Sequence, residues 1–248
     1  MRDQTALYVD FHTHIHSYPD MEGVSREIAQ HKIISVGCSM DTASYIATRK
    51  LAESNPYIIP TFGIHPKYSG TVATLSDLDK YLESSPIIGE IGLDDCWCRE
   101  VPLKVQESVF EYILDHCHRM RKCCVIHTKD AEKRVLDILE NYPGARPIIH
   151  WYDGPADVFK KMLERGYHTT FGCQVLYSDH IKELLRMTPL ELILSETDNP
   201  DSEKWLGGTD DSPLLIRRVV QDIAAVKGID EDECRNLIYE NSMKILFP

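Results

Sequence analysis

Two histidines one residue apart, His12 and His14, follow an apolar run in VDFHTHIH. In a strand, residues i and i+2 point to the same face, so both imidazoles can aim at one cation. Four more titratable residues close apolar runs in the same manner: Glu90 in IIGEIGLD, His127 in CCVIHTKDA, His150 in RPIIHWYDG and Asp198 in ILSETDNP. Imidazole and carboxylate together suit zinc, manganese and similar divalent ions. Four histidines and two carboxylates exceed the three protein ligands of a typical catalytic zinc. They suit a pair of cations about 3.5–4 Å apart with a shared carboxylate. Singly, such a residue is more often a helix cap or a satisfied loop residue. Six at one edge are harder to explain, because an apolar interior gathers that many titratable groups only where something pairs them.

The elements that must position these residues are short apolar runs alternating with helical patterns. Strands are expected at 7–11, 32–36, 57–62, 87–91, 123–126, 147–149, 167–171 and 192–195, each followed by a helix. The clearest helix covers 102–121, with Leu103, Val109, Phe110, Ile113, Leu114 and Cys117 largely on one face. Another is expected to start at Ser212-Pro213 and stop at Gly228. A last one begins at Asp230, with Glu233 in capping-box register, and runs to about 246. Eight strand-then-helix units in one chain of 248 residues describe an α/β fold, a single (β/α)8 TIM barrel with an extra C-terminal helix. Residues 1–248 then form one domain. Active sites of such barrels are built where the strands end. No G-x-G-x-x-G follows the first strand, so the open dinucleotide-binding sheet loses its main support.

Composition narrows the function. Hydrophobic residues make up 43% of the chain, too many for a disordered one. With 27 basic against 39 acidic residues the net charge is −12, which argues against a broad duplex-DNA groove. A small phosphate site is compatible with that charge, since bound cations would supply positive charge locally. No stretch approaches about 18 uninterrupted apolar residues. The first residues lack the apolar core of a secretory signal. Eight cysteines show no disulfide spacing, so reduced thiols and a cytoplasmic setting are expected. Cys96 and Cys98, and the His116-Cys117-His118 run, lack the paired spacing of a structural zinc site. On a helix, His116 and His118 diverge.

One family shares the order and spacing of these segments. DFHTH (10–14), FGIHP (62–66), IGEIGLD (88–94), Gln106 and Phe110, VIHTKDA (125–131), HWYDG (150–154), SETDNP (195–200) and NLIYENSMKILF (236–247) make the chain resemble the TatD family of metal-dependent deoxyribonucleases, relatives of the amidohydrolases. The resemblance implies two divalent ions, zinc, magnesium or manganese. His12, His14 and Asp198 would hold one, His127 and His150 the other, and Glu90 would bridge. It implies hydrolysis of DNA phosphodiesters, on single strands or at 3′ ends, as a 3′–5′ exonuclease. Asp198 would accept the proton of the attacking water, with Glu90 as the second catalytic carboxylate. His65 and Lys129 would bind substrate.

The chain also departs from that family. Lys129 stands where Arg is more frequent, which loses the bidentate fork. Trp151-Tyr152-Asp153 replaces Cys-Phe-Ser, and brings a negative charge together with an indole that could stack on a base. Asp95-Cys96-Trp97-Cys98 replaces an aromatic pair. Trp205, Gly207 and Gly208 form a loop that reads as a flap or as plain surface. Two other functions compete. One is a small-molecule metal hydrolase for a lactone, amide or phosphoester, which the acidic surface favours and Glu90 disfavours, since those relatives often bridge with a carboxylated lysine. The other is a non-catalytic metal-holding subunit of a multi-protein defence complex, which the intact Asp198 disfavours.

Overall fold

In the computed structural model, residues 7–206 and 211–247 are described; Gly207 and Gly208 of the expected flap lie outside them. Strands and helices alternate along the chain. The strands are β1 (Val9–Thr13), β2 (Ile34–Cys38), β3 (Ile58–Thr61), β4 (Ile88–Gly92), β5 (Cys123–His127), β6 (Arg146–Ile149), β7 (His168–Phe171) and β8 (Ile193–Ser195). The helices are α1 (Met21–His31), α2 (Thr42–Ala52), α3 (Asp79–Ser84), α4 (Leu103–Met120), α5 (Glu132–Leu139), α6 (Ala156–Glu164), α7 (Asp179–Met187), α8 (Leu215–Lys227) and α9 (Glu231–Leu246). This is the expected α/β alternation of a (β/α)8 chain, with α9 as the added C-terminal helix. Among the described residues no helix is long and apolar enough to cross a membrane.

The chain forms two compact units. The first comprises residues 1–37, 49–59 and 170–248. In it β1 runs parallel to β2, with Val9 opposite Ile34 and Asp10 opposite Ser35. β8 lies beside β1, where the Ser195 hydroxyl donates to the Val9 carbonyl at 2.6 Å. The second unit comprises residues 38–48 and 60–169. Its ladder is parallel throughout: Ile88 faces Cys124, Cys124 faces Pro147, and Ile148 faces His168. These strands are buried along nearly their whole length, which is why their sequences run apolar instead of alternating.

Several strands sit later than the sequence suggests. β1 and β2 each begin two residues after the expected start, at Val9 and Ile34. For β2 the cause is local: α1 runs to His31, and Lys32 takes a left-handed φ of 53° to end it. His12 therefore lies inside β1, and His14 just beyond it. α8 begins at Leu215, not at Ser212-Pro213, because the Ser212 hydroxyl accepts the Leu214 N–H in a preceding turn. Gly228, at φ 68°, ends α8 as expected, and Asp230 caps α9 by accepting from the Asp232 and Glu233 N–H groups.

Two half-buried lysines fix how helices return to strands. In the second unit the Lys122 ammonium donates to the carbonyls of Leu82, Glu83 and Ser85 at the end of α3. In the first unit Lys227 does the same for Leu185, Arg186 and Thr188 at the end of α7. Each ammonium satisfies carbonyls that a helix end leaves open and sits at the negative end of its dipole. α4 buries Val109, Phe110, Ile113, Leu114 and Cys117 of the expected face, while Leu103, at its first residue, is half-buried. Each of the large apolar side chains contributes about 1.5–3 kcal/mol by leaving water.

Candidate metal centre

The first unit brings three of the expected ligands together. His12 Nε2 and His14 Nε2 are 3.3 Å apart, and Asp198 Oδ1 lies 3.4 and 3.2 Å from them. Around a divalent ion with bonds of about 2.0–2.2 Å, tetrahedral ligand atoms stand about 3.3–3.6 Å from one another. Asp198 Oδ1 is buried, yet among the described residues no donor meets it in hydrogen-bond geometry. Two imidazole nitrogens and a carboxylate oxygen at these separations repel unless a proton or a cation lies among them. The donor set thus fits a divalent cation.

The loop after β8 holds Asp198 there by lacing itself to β1. The Asp198 N–H donates to the His12 carbonyl at 2.9 Å, and the His14 N–H donates to the Asn199 carbonyl at 2.8 Å. The Asp10 carboxylate accepts from the Thr197 N–H at 2.9 Å and its hydroxyl at 2.6 Å. Burial pushes Asp10 up to about 7, against these hydrogen bonds. Burial also acts to raise Asp198, but the imidazoles of His12 and His14 outweigh it and hold that carboxyl well below the usual range.

The second unit gathers the others around Glu90. A single oxygen, Glu90 Oε1, lies 2.9 Å from His127 Nδ1, 2.9 Å from His150 Nε2 and 3.7 Å from His65 Nε2. Glycines let the backbones approach closely enough. A Cβ on Gly63 would meet the Glu90 carbonyl oxygen at 2.3 Å. A Cβ on Gly92, whose φ is 147°, would meet the His127 carbonyl oxygen at 2.0 Å.

Asp94 organises this cluster and escapes the sequence reading. Its Oδ2 lies 2.9 Å from His127 Nε2. Its Oδ1 accepts from the N–H groups of Cys96, Trp97 and Cys98 at 2.8, 2.6 and 3.2 Å. Gln106, the glutamine of the Q-x-x-x-F segment, pins the Asp94 backbone from both sides: its Oε1 accepts the Asp94 N–H at 2.8 Å, and its Nε2 donates to the Asp94 carbonyl at 3.0 Å. Burial works to raise Asp94, but the bond to His127, its charge and the loop N–H groups hold the carboxyl well below its ordinary value. Burial works to lower His127, and the Asp94 and Glu90 carboxylates outweigh it, so that ring is raised. With Nε2–H donated to Asp94, a neutral His127 turns the Nδ1 lone pair toward Glu90 Oε1. Only a proton or a cation makes that contact favourable, which is the arrangement of a carboxylate-oriented metal ligand. The parity that pairs His12 with His14 also aligns Glu90, Gly92 and Asp94, and was the available signal.

The two expected substrate residues differ. His65 Nδ1 accepts the Lys67 N–H at 3.2 Å, so a neutral ring carries its proton on Nε2, facing Glu90 as a donor and not as a ligand. The Lys129 ammonium is paired with Asp153 at 2.7 Å and lies 5.1 Å from the centre of the Trp97 ring. Burial acts to lower Lys129, and the Asp153 contact raises it. Trp151 is half-buried with a left-handed φ of 43°. His116 and His118 turn to separate partners, Asp79 at 3.3 Å and the Gly144 N–H at 2.8 Å.

Known proteins resemble this chain along its length. A metal-dependent hydrolase of Methanocaldococcus jannaschii, the uncharacterized MJ1582, is 26% identical over 253 residues, 98% of each chain. The human deoxyribonuclease TATDN3 is 25% identical over 271 residues, covering 100% of this chain and 97% of its own. The crystal structure of YjjV, a TatD homologue of Escherichia coli, superposes with a TM-score of 0.86 at 20% identity, over 96% of this chain and 97% of its own; it shares the fold. The model of the TatD related DNase family matches residues 9–247, and to that family this chain belongs.

Proposed function

We propose that this protein is a divalent-cation-dependent phosphodiesterase that removes nucleotides from the 3′ ends of single-stranded DNA. The observation that carries the reading is the His12–His14–Asp198 trio, three ligand atoms 3.2–3.4 Å apart with the spacing of a coordination shell. The second unit offers its own ligands in Glu90, His127 and His150. Together these suit two cations of the zinc, manganese or magnesium class. When bound, such ions polarise the phosphoryl group and make water easier to deprotonate.

The chain's own groups do the rest. Asp198 is kept ionised by the two imidazoles, so its carboxylate stands deprotonated beside the attacking water, as the group placed to accept its proton. Glu90 holds His127 and His150 through one oxygen. His65 presents Nε2–H as a donor to a phosphate oxygen or to the leaving oxygen. The human relative's name, deoxyribonuclease, supports DNA as the substrate. The cytoplasm, where thiols stay reduced, is the setting proposed for a chain with eight free cysteines.

The small-molecule reading has one observation in its favour: Asp153 already neutralises Lys129. One experiment separates the two. Purified protein is given 3′-labelled single-stranded DNA with Mg²⁺, Mn²⁺ or Zn²⁺, beside lactones and p-nitrophenyl phosphodiesters, with Asp198→Asn and Glu90→Gln as controls. Stepwise 3′ label release lost in both variants is expected. Turnover of lactones alone sinks the nuclease reading, and release that survives both substitutions marks a contaminant.

A further inference from the structure

The loop between Asp94 and Val101 presents an indole that the chemistry above does not use. Trp97 is 52% exposed, although an indole is among the side chains that gain most from burial. Its backbone, by contrast, is fixed. The Trp97 N–H donates to Asp94 Oδ1 at 2.6 Å, and the neighbouring N–H groups of Cys96 and Cys98 share that oxygen. Cys98 in the same loop is buried, and Arg99 Nε closes the turn on the Asp95 carbonyl at 2.7 Å. The ring stands 6.4 Å from the His127 ring, centre to centre. The Lys129 ammonium, tethered by Asp153, stands over one face of the indole, 5.1 Å from its centre. An indole on a fixed backbone has only two side-chain torsions to settle, so it loses little conformational freedom when a flat partner stacks on it.

From this geometry, and resting on the phosphodiesterase reading, we propose that Trp97 is the stacking platform for the base of the terminal nucleotide whose phosphate sits at the Glu90–His127–His150 cluster. Stacking is blind to base identity, because every base has a π-face. The site would therefore demand a planar heterocycle without reading sequence. It would favour nucleotide ends over simple phosphodiesters. Trp97 here takes the stacking role that the sequence offered to Trp151, which is the less exposed of the two.

The test compares two single-stranded oligonucleotides that differ only at the 3′-terminal residue, a normal nucleotide or an abasic one, in Mn²⁺. The wild-type protein should prefer the base-bearing end about tenfold or more in kcat/KM. Trp97→Ala should bring that ratio close to one, and Trp97→Phe should keep most of it. A second readout needs no turnover. An oligonucleotide ending in 2-aminopurine is titrated into the metal-free protein, and its fluorescence should be quenched by wild type and by Trp97→Phe but not by Trp97→Ala. A ratio unchanged in Trp97→Ala, or quenching that persists in it, overturns the platform. If no DNA is cleaved yet quenching depends on Trp97, the platform stands and the nuclease reading falls. Cleavage that ignores the terminal base, with no quenching in wild type, leaves the nuclease reading and removes the platform.

Discussion

His127 Nε2 and Asp94 Oδ2 meet at 2.9 Å, so the Asp94 carboxylate decides which nitrogen of His127 is left to face Glu90. Asp94→Asn keeps the shape and removes the charge. It should weaken cation binding at the Glu90 cluster about 10- to 100-fold, the usual effect of losing an outer-sphere partner. Isothermal titration with Zn²⁺ or Mn²⁺ in competition with a chelator measures this. Unchanged affinity would deny Asp94 any hold on His127.

Asp198→Asn removes the anion between two imidazoles. We expect kcat to fall at least about 100-fold and cation uptake to weaken with it. Stopped assays and metal analysis of the desalted protein give the two numbers. A rate within a few-fold of wild type would mean that another group takes the proton.

Gln106 serves structure. Replacing it with Ala strips partners from the buried Asp94 N–H and from the Asp94 and Val101 carbonyls. Each unsatisfied buried group costs about 1–3 kcal/mol, so urea unfolding should show a loss of at least about 2 kcal/mol. Gln106→Glu restores the acceptor but sets a buried carboxylate oxygen against the Asp94 and Val101 carbonyls, so it should recover little.

Asp10 gives a pH signature. Its carboxyl ionises near 3.8 in the unfolded chain and is pushed up to about 7 in the fold. Between those values the folded protein holds a proton that the unfolded chain has released. Stability from this group therefore falls as pH rises from about 4 to about 7, and is flat above. Melting of the cation-free protein across that window, wild type against Asp10→Asn, should show the slope reduced in the variant.

Cation loading should stabilise the fold, by about 4 kcal/mol at a thousandfold excess over the dissociation constant. The gain should shrink as pH falls through the imidazole range. A protonated His127 offers no lone pair, and its ionisation lies above the ordinary 6.5. Scanning calorimetry with and without a chelator at several pH values reads this directly.

How far the sequence speaks depends on the range over which a signal acts. The alternation of strand and helix, and the alignment of His12 with His14, are set by local periodicity, so they are legible. The C-terminal limit of a helix set by a left-handed residue is less so: Lys32 carries no glycine-like mark, yet adopts a φ of 53° and delays β2. Partnerships across the chain are not written locally at all. Asp153 reaches Lys129 over 24 residues, and Thr197 reaches Asp10 over 187. Only tertiary packing decides that Lys129 is already neutralised or that Asp10 is kept from water.

Because Lys129 comes with its own counter-ion, an incoming anion has to compete with Asp153 before it can feel that ammonium. On a surface whose overall charge is −12, this should disfavour tight, indiscriminate capture of polyanions. On the phosphodiesterase reading proposed above, it should let cleaved products drift away quickly.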